Sequence, residues 1–276
     1  ERNEEKIGTT YLKCEKNYLK FDDRYIYSQW DGLENDWEIS LDITKKNKRD
    51  VEAEFKFEDG KGMVSFDLSS TLVSGVENLF LTGGGDIQGY GTTFSNSIFG
   101  NTGNNFIYGR EGKDTLLGGD GSDTLRGGPD GSVDSLVGGN GDDFYIIGET
   151  IDEILDEAGV DTVLATVSLS LTDGSGVENL VLSTTLQGAN ADISGIGNSF
   201  ANSISGNAGN NSLDGGNDDA VDILVGNGGS DTFIGSRGPK VGDYLQGATG
   251  DDLYVVSTTL DKISDAGGTD LVSSSV

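Results

Sequence analysis

Residues 109–147 read GREGKDTLLGGDGSDTLRGGPDGSVDSLVGGNGDDFYII, and this stretch repeats a glycine-rich turn, an aspartate and a short apolar triplet every nine residues. It divides into GREGKDTLL, GGDGSDTLR, GGPDGSVDSLV and GGNGDDFYI, of which the third is two residues longer. The aspartates at the sixth position, or at its equivalent in the longer unit, are Asp114, Asp123, Asp134 and Asp143. An apolar residue follows two positions after each of them. Four such units in phase define the nonapeptide G-G-x-G-x-D-x-U-x, where U is apolar.

The residue types of this nonapeptide suit a calcium ion. Calcium is a hard cation that takes six to eight oxygen ligands at roughly 2.3–2.6 Å, and carboxylates and main-chain carbonyls supply such oxygens. A turn that aims several carbonyls at one ion needs positive φ angles, which glycine adopts at little steric cost. We therefore interpret each nonapeptide as a metal-binding turn followed by a short strand, whose U residue points into a narrow apolar core.

The period also predicts how the nonapeptides stack. Two of them form one coil of a parallel solenoid, so every second nonapeptide lies on the same side. The two rows that result are Asn96, Asp114 and Asp134 on one side, and Asn105, Asp123 and Asp143 on the other. We predict calcium ions between Asp114 and Asp134 and between Asp123 and Asp143.

From residue 64 onwards the chain repeats itself on a larger scale. Residues 64–81 return at 166–183, 91–105 at 197–211, and 142–163 at 251–272. The aspartates of the second copy are Asp222, Asp231, Asp243 and Asp252. By the same stacking we predict calcium between Asp222 and Asp243 and between Asp231 and Asp252.

Both copies begin with nonapeptides that have asparagine in place of the aspartate. These residues are Asn96, Asn105, Asn202 and Asn211. Because an amide carries no negative charge, we expect weaker calcium sites, or none, in these turns. Stacked asparagine side chains can instead form hydrogen-bonded ladders without metal.

Charge and glycine content change together near residue 63. Residues 1–62 contain 12 basic and 16 acidic residues and 4 glycines, whereas residues 63–276 contain 6 basic and 31 acidic residues and 40 glycines. In the first part, short alternating segments such as 37–43 and 51–57 predict β-strands. We expect an all-β protein with a small antiparallel β domain at 1–63, a first parallel β-roll module at 64–165 and a second, truncated module at 166–276.

The acidic composition restricts the partners of the protein. A formal net charge of −29 disfavours nucleic acid, which is bound by clustered lysine and arginine. Divalent cations are the natural counter-ions, although acidity could also serve solubility alone. No run of residues approaches the ~18 apolar residues of a membrane span. The single cysteine, Cys14, cannot form a disulfide within the chain.

GGDGSDTLR and GGNGDDFYI resemble the repeat of the RTX, or haemolysin-type calcium-binding, family. The resemblance covers about residues 64–276, and the GVENL segments between the repeats resemble those of long bacterial, often cyanobacterial, proteins. It implies a parallel β-roll, calcium-dependent folding and export, usually by type I secretion. It also implies a calcium-binding role for the sixth-position aspartates: Asp114, Asp123, Asp134, Asp143, Asp222, Asp231, Asp243 and Asp252.

The composition predicts a folding switch controlled by calcium. Without metal, a net charge of −25 on the glycine-rich residues 63–276 should resist collapse. Each ion that binds only the folded state stabilises it, by about 2.7 kcal/mol at a hundredfold excess over Kd. We therefore expect an unfolded chain in low-calcium cytosol and a folded roll outside the cell or at its surface.

The residue content disfavours a catalytic role for this chain. It contains no histidine, which excludes Ser-His-Asp and Cys-His arrangements and H-E-x-x-H zinc sites. We expect a secreted, non-catalytic calcium-binding protein with a structural, surface or adhesive role, whose partners could include cell-surface polysaccharide or other repeat proteins. The alternative is an export and folding segment of an extracellular enzyme whose catalytic domain lies elsewhere. The second copy stops in mid-module, so we expect a piece of a longer protein, cut at both ends.

Overall fold

The computed structural model describes residues 78–81, 83–148, 152–183, 191–235 and 241–274 in full, and six earlier strands by their main chain. The described residues form 27 strands and no helix. No helix among them could therefore serve as an apolar membrane span. The all-β fold class expected from the sequence is confirmed. Cys14 lies outside the described residues.

The strands are short and follow one another closely along the chain. The first fourteen are β1 (Glu5–Lys13), β2 (Tyr18–Phe21), β3 (Arg24–Tyr27), β4 (Glu38–Lys45), β5 (Val51–Phe57), β6 (Val64–Asp67), β7 (Asn78–Leu81), β8 (Ile87–Tyr90), β9 (Ser97–Phe99), β10 (Phe106–Tyr108), β11 (Thr115–Asp120), β12 (Thr124–Arg126), β13 (Ser135–Asn140) and β14 (Phe144–Ile147). The remaining thirteen are β15 (Glu153–Leu155), β16 (Thr162–Ala165), β17 (Leu169–Ser170), β18 (Asn179–Leu182), β19 (Ser194–Ile196), β20 (Ser203–Ser205), β21 (Ser212–Asp214), β22 (Ile223–Val225), β23 (Thr232–Ile234), β24 (Tyr244–Gln246), β25 (Leu253–Val256), β26 (Lys262–Ser264) and β27 (Leu271–Ser274).

The N-terminal strands pair in antiparallel fashion, as their alternating sequences predict. Strand β4 pairs with β1 on one side and with β5 on the other, and β2 and β3 form a separate two-stranded ribbon. Strand β5 then pairs in parallel with β7. The antiparallel strands and the first solenoid strands consequently share one sheet.

The chain forms two compact units. The first comprises Glu1–Phe144 and Asp152–Gly159, and the second comprises Tyr145–Ile151 and Val160–Val276. In the first unit, successive strands alternate between two parallel sheets, with the orders β7-β9-β11-β13-β15 and β6-β8-β10-β12. Alternate nonapeptides therefore stack on each other, which confirms the predicted solenoid.

The second unit repeats this architecture. Its two parallel sheets have the strand orders β16-β18-β20-β22-β24-β26 and β17-β19-β21-β23-β25-β27. The register is regular, since Leu224 of β22 lies beside Ile204 on one side and Leu245 on the other. Each unit thus contains a parallel β-solenoid built from the same kind of short strand.

The core of each unit is a column of U residues. A typical strand of three residues buries only its central side chain, because side chains alternate between the two faces of a strand. The buried U residues of the first unit are Ile98, Ile107, Leu116, Leu125 and Leu136, and those of the second include Ile204, Leu213, Leu224, Phe233, Leu245 and Tyr254. Because the core is so narrow, the turns lie close to the interior. The aspartates are in these turns.

Candidate metal centres

The sixth-position aspartates lie directly before the strands, and they are buried. Asp114 and Asp134 are fully buried, and Asp123 is 1% exposed. Each points along its row toward the preceding coil, where its Oδ1 accepts a main-chain N–H. In the first row, Asp114 accepts from Asn96 at 2.7 Å and Asp134 accepts from Asp114 at 2.8 Å. The carboxylates therefore form a ladder that connects successive coils.

The opposite row of the first unit has the same geometry. Oδ1 of Asp123 accepts from the Asn105 N–H at 2.6 Å, and Oδ1 of Asp143 accepts from the Asp123 N–H at 2.6 Å. The two rows predicted from the nine-residue period are therefore present. The two-residue insertion before Asp134 does not shift it, because the extra residues form a turn closed by Ser132, whose N–H donates to Asp130.

The second unit contains both of its predicted rows. In one, the N–H of Asn202 donates to Asp222 at 2.8 Å and that of Asp222 donates to Asp243 at 2.9 Å. In the other, Asn211 donates to Asp231 at 2.7 Å and Asp231 donates to Asp252 at 2.8 Å. Asp222 and Asp243 keep their places although their nonapeptides are longer than nine residues.

The second carboxylate oxygen of most of these aspartates is buried and has no hydrogen-bond partner. This holds for Oδ2 of Asp114, Asp123, Asp134, Asp222, Asp231 and Asp252. A buried polar atom left without a partner costs roughly 1–3 kcal/mol, and more when it is charged. A repeated array of such oxygens is suited to a cation, because a metal ion would supply the missing partner.

The first glycine of each nonapeptide creates the space in which this oxygen lies. A Cβ added to Gly118 would be 2.2 Å from Oδ2 of Asp123, and one added to Gly226 would be 2.1 Å from Oδ2 of Asp231. No other residue could occupy the first position unless the carboxylate moved. The glycine and the aspartate of a nonapeptide therefore act as one structural unit.

Burial strongly perturbs the acidity of these carboxyls. It raises the pKa of Asp114, Asp123 and Asp222 to about 7, and that of Asp231 to about 6. The hydrogen bond from the preceding coil opposes this shift, and neighbouring carboxylates such as Asp134 beside Asp114 add to it. Without a cation, Asp114, Asp123 and Asp222 are therefore partly protonated near neutral pH.

The asparagine turns satisfy their side chains without any ion. Oδ1 of Asn105 accepts the N–H of Asn101 in its own turn at 2.8 Å, and Oδ1 of Asn202 accepts that of Asn198 at 2.7 Å. The Nδ2 group of Asn202 also donates to Oδ1 of Asn198 at 3.0 Å. These hydrogen bonds run within one turn, from the sixth position to the second, rather than between stacked asparagines as the sequence suggested.

The rows continue beyond the aspartates that the sequence singled out. Asp152 accepts from the Asp134 N–H at 3.1 Å, Asp261 from Asp243 at 3.1 Å, and Asp270 from Asp252 at 3.0 Å. Each retains the D-x-U core of the motif, as in DEI at 152–154 and DKI at 261–263, but lacks the glycine at the first position; only Asp270 has a glycine pair before it, Gly267 and Gly268. A search for D-x-U alone, at the spacing of a coil, would have found them.

The donor set fits calcium better than a transition metal. The rows offer carboxylate oxygens next to main-chain carbonyls in glycine turns, which are the ligands that hard cations prefer. The sequence has no histidine to provide the nitrogen ligands that are common in zinc sites. A bound calcium ion would supply positive charge to carboxylates that are otherwise buried without compensation.

The described units contain parallel β-solenoids with glycine-rich turns, and most of these turns carry a buried aspartate before the strand. The sequence model of the RTX calcium-binding nonapeptide repeat matches four copies in this chain, within residues 90–125, 196–233 and 218–238. The repeats within these residues are thus of the RTX calcium-binding type. Comparison with curated proteins gives no match.

Proposed function

We propose that this chain is a secreted calcium-binding repeat protein whose solenoid folds when calcium binds, and which has a structural, surface or adhesive role. The observation that carries the proposal is the array of buried Oδ2 atoms without hydrogen-bond partners along the aspartate rows. Calcium is the cation that this set of oxygens and glycine turns fits. The family of the matched repeats points to the same ion.

The calcium ions would be held by pairs of aspartates on adjacent coils of one row. These pairs are Asp114 with Asp134, Asp123 with Asp143, Asp222 with Asp243, and Asp231 with Asp252. The hydrogen bonds from each main-chain N–H to the next carboxylate support the pairing, because they bring the two side chains into direct succession. In this proposal the asparagine turns bind no calcium, since their side chains are already paired.

We expect folding to depend on calcium because the negative charges repel one another and the apolar core is too small to offset that repulsion. Residues 63–276 have a net charge of −25, and no strand with described side chains buries more than two residues, so the calcium-free chain has little to oppose its self-repulsion. Calcium modules that work outside cells commonly bind with Kd of about 10⁻⁴–10⁻³ M. Such affinities would leave the chain unfolded in the cytosol and folded outside the cell, which agrees with export before folding.

An extracellular or cell-surface location is part of the proposal, with export by type I secretion as in the family that the repeats resemble. Cell-surface polysaccharide or further repeat proteins are the partners we propose for the folded solenoid. The solenoid suits such a role, because stacked coils provide an extended surface.

Circular dichroism of the full chain tests the proposal. We expect a disordered spectrum in EGTA and a β-sheet spectrum in millimolar calcium, and the change should reverse on chelation. The same concentration of magnesium serves as the control, since it demands a stricter octahedral geometry and should be less effective. An identical β-sheet spectrum in EGTA and in calcium would refute the proposal.

A further inference from the structure

The outer face of strands β8, β10 and β12 in the first unit combines aromatic rings with arginine. Side chains alternate between the two faces of a strand, so the residues next to the buried ones point outward. The outward residues are partly exposed, and they are Gln88, Tyr90, Phe106, Tyr108, Thr124 and Arg126. None of them is acidic, although residues 63–276 have a net charge of −25. This face is therefore a local exception in a strongly acidic protein.

Two arginines on this face are stacked on tyrosine rings. Tyr108 of β10 lies in register between Tyr90 and Arg126. The guanidinium of Arg126 is 4.7 Å from the centre of the Tyr108 ring, and that of Arg110 is 5.6 Å from the centre of the Tyr90 ring. Stacking fixes the orientation of a guanidinium, and the donors in its plane can still bind a carboxylate in bidentate fashion. The face is thus suited to carboxylate groups.

The rest of the face offers hydrogen-bonding groups beside an aromatic ring. The Tyr90 hydroxyl donates to Oε1 of Gln88 at 3.0 Å, and the centre of the Tyr90 ring is 5.9 Å from that of Phe106. Phe106 in turn lies in register beside Thr124. Sugars present hydroxyl groups together with apolar C–H surfaces, so this combination of side chains suits a sugar that also carries a carboxylate.

The solenoid does not need these residues in order to form its sheet. In the second copy of the repeat, the positions of Tyr90, Tyr108 and Arg126 are occupied by other side chains: Ile196, Asp214 and Ile234. These three residues pair in the same parallel register. Because the fold accepts aliphatic and acidic side chains at these positions, the aromatic and basic residues of the first copy indicate a role other than folding.

We propose that this face of the first unit binds an acidic polysaccharide, one whose sugar units carry carboxylates. Arg110 and Arg126 bind the carboxylates, and Gln88 and Thr124 bind sugar hydroxyls. Neighbouring strands of the face are about 4.8 Å apart, which is close to the length of one sugar unit, so successive sugars meet successive coils. The inference rests on the proposed surface role, and it specifies the binding face and the charge of the partner. Calcium bound in the rows reduces the repulsion between the acidic protein and the acidic polymer.

Isothermal titration calorimetry of the full chain in saturating calcium tests the face with matched ligands. A short oligogalacturonate is compared with its methyl ester, which has the same sugars without the charge. We expect the chain to bind the acid more tightly than the ester, and added salt to weaken this binding.

Arginine variants show whether this face is the binding site. Arg110→Gln and Arg126→Gln should each weaken oligogalacturonate binding roughly tenfold or more, because each removes hydrogen bonds to a charged group. Lys262→Gln is the matched control, since the Lys262 ammonium lies 4.5 Å from the centre of the Tyr244 ring in the second unit. It removes the same charge and the same kind of contact elsewhere, and should bind like the unmodified chain.

Tyr108→Leu separates the orientation of the arginine from its charge. The variant keeps both arginines but removes the ring against which Arg126 is stacked, so we expect weaker binding and an unchanged circular dichroism spectrum in calcium.

Equal affinity for the acid and the ester would overturn the inference. Unchanged affinity in both arginine variants would also overturn it, and would mean that bound calcium holds the carboxylates. An arginine-dependent dimer in size-exclusion chromatography, without oligogalacturonate binding, would overturn it in favour of a second copy of the chain. A β-sheet signal that does not depend on calcium would contradict the proposed function, whereas arginine-dependent oligogalacturonate binding would still support this inference.

Discussion

Asp222 shows at the scale of a single residue why we propose a cation in the rows. Its Oδ1 accepts a hydrogen bond from Asn202, but its Oδ2 is buried without a partner, and burial raises its pKa to about 7. Asn202 occupies the same place one coil earlier and pairs its whole amide with Asn198 and a main-chain carbonyl. In our proposal, a calcium-binding turn and a turn that folds without calcium therefore differ by one side-chain atom, Oδ2 or Nδ2.

Replacing Asp222 by asparagine should make its turn less dependent on calcium. The Asp222→Asn variant has no charge to desolvate, so we expect the folded form of the calcium-free chain to be about 1–3 kcal/mol more favourable, relative to the disordered form, than in the unmodified chain. It should also bind one calcium ion fewer, because the pair with Asp243 loses a carboxylate. Circular dichroism in EGTA, where the unmodified chain is expected to be disordered, reports the first effect as a gain of β-sheet signal, and calcium titration measures the second.

Asp192 provides the matched control for this substitution. It is exposed, and its Oδ1 accepts the Asn210 N–H at 2.8 Å, as Asp222 accepts that of Asn202. Asp192→Asn removes the same formal charge from the same unit, so it isolates the effect of burial. Equal stability gains in the two variants would show that net charge alone, rather than the buried carboxylate, limits the calcium-free fold.

At the scale of the turn, the second position of the nonapeptide often requires a left-handed backbone. Gly119 and Gly139 have φ angles of 116° and 115° there. Arg110, Asn227 and Ala248 occupy the same position with φ angles of 80°, 76° and 73°. A residue with a side chain pays roughly 1–2 kcal/mol for this conformation, and Ala248 gains no side-chain hydrogen bond in return.

Ala248→Gly should therefore stabilise the folded protein. The relief of left-handed strain exceeds the extra entropy of glycine in the unfolded chain, so we expect a net gain of about 0.5–1 kcal/mol. Thermal unfolding in saturating calcium measures it. Ala201→Gly is the control, because Ala201 is exposed and has no positive φ; it should be neutral or destabilising. A loss of stability in Ala248→Gly would contradict the strain argument.

The elements that the sequence predicted well are those set by local periodicity. The nine-residue spacing determines which side chain enters the core, and it correctly separated Asp114 and Asp123 into opposite rows. Local periodicity does not predict which distant strands pair with each other. The alternation in residues 51–57 predicts a strand with two unlike faces, but it does not reveal that β5 pairs in parallel with β7.

The missed members of the rows have a physical explanation. Asp152 and Asp261 hold their row positions through a hydrogen bond from the preceding coil, which needs the aspartate but not the glycines before it. The glycines are required where the chain makes a tight turn or lies against Oδ2, as at Gly118. A motif that demands both features therefore finds the tight turns and misses the coils that close each module.

For the whole molecule, the raised pKa values link folding to pH as well as to calcium. Asp114, Asp123 and Asp222 have folded pKa values of about 7 against an ordinary value of 3.8. Between these limits the calcium-free folded state binds more protons than the unfolded state. Its stability therefore rises as the pH falls toward about 4, and is lost as the pH rises through about 7. Bound calcium favours the ionised carboxylates, so calcium affinity increases as the pH rises.

Measurements at about pH 5.0 and about pH 7.5, below and above the raised pKa values, test the linkage. In protein freed of calcium by a chelating resin, we expect circular dichroism to show more β-sheet signal at the lower pH. In millimolar calcium, urea unfolding should show greater stability at the higher pH, because protons then compete with the ions. Asp222→Asn should show a shallower dependence than the unmodified chain in the absence of calcium, whereas Asp192→Asn should not. Calcium-free stability that increased with pH over this interval would mean that the buried carboxyls titrate near their ordinary values, and that the rows are more solvated than their burial indicates.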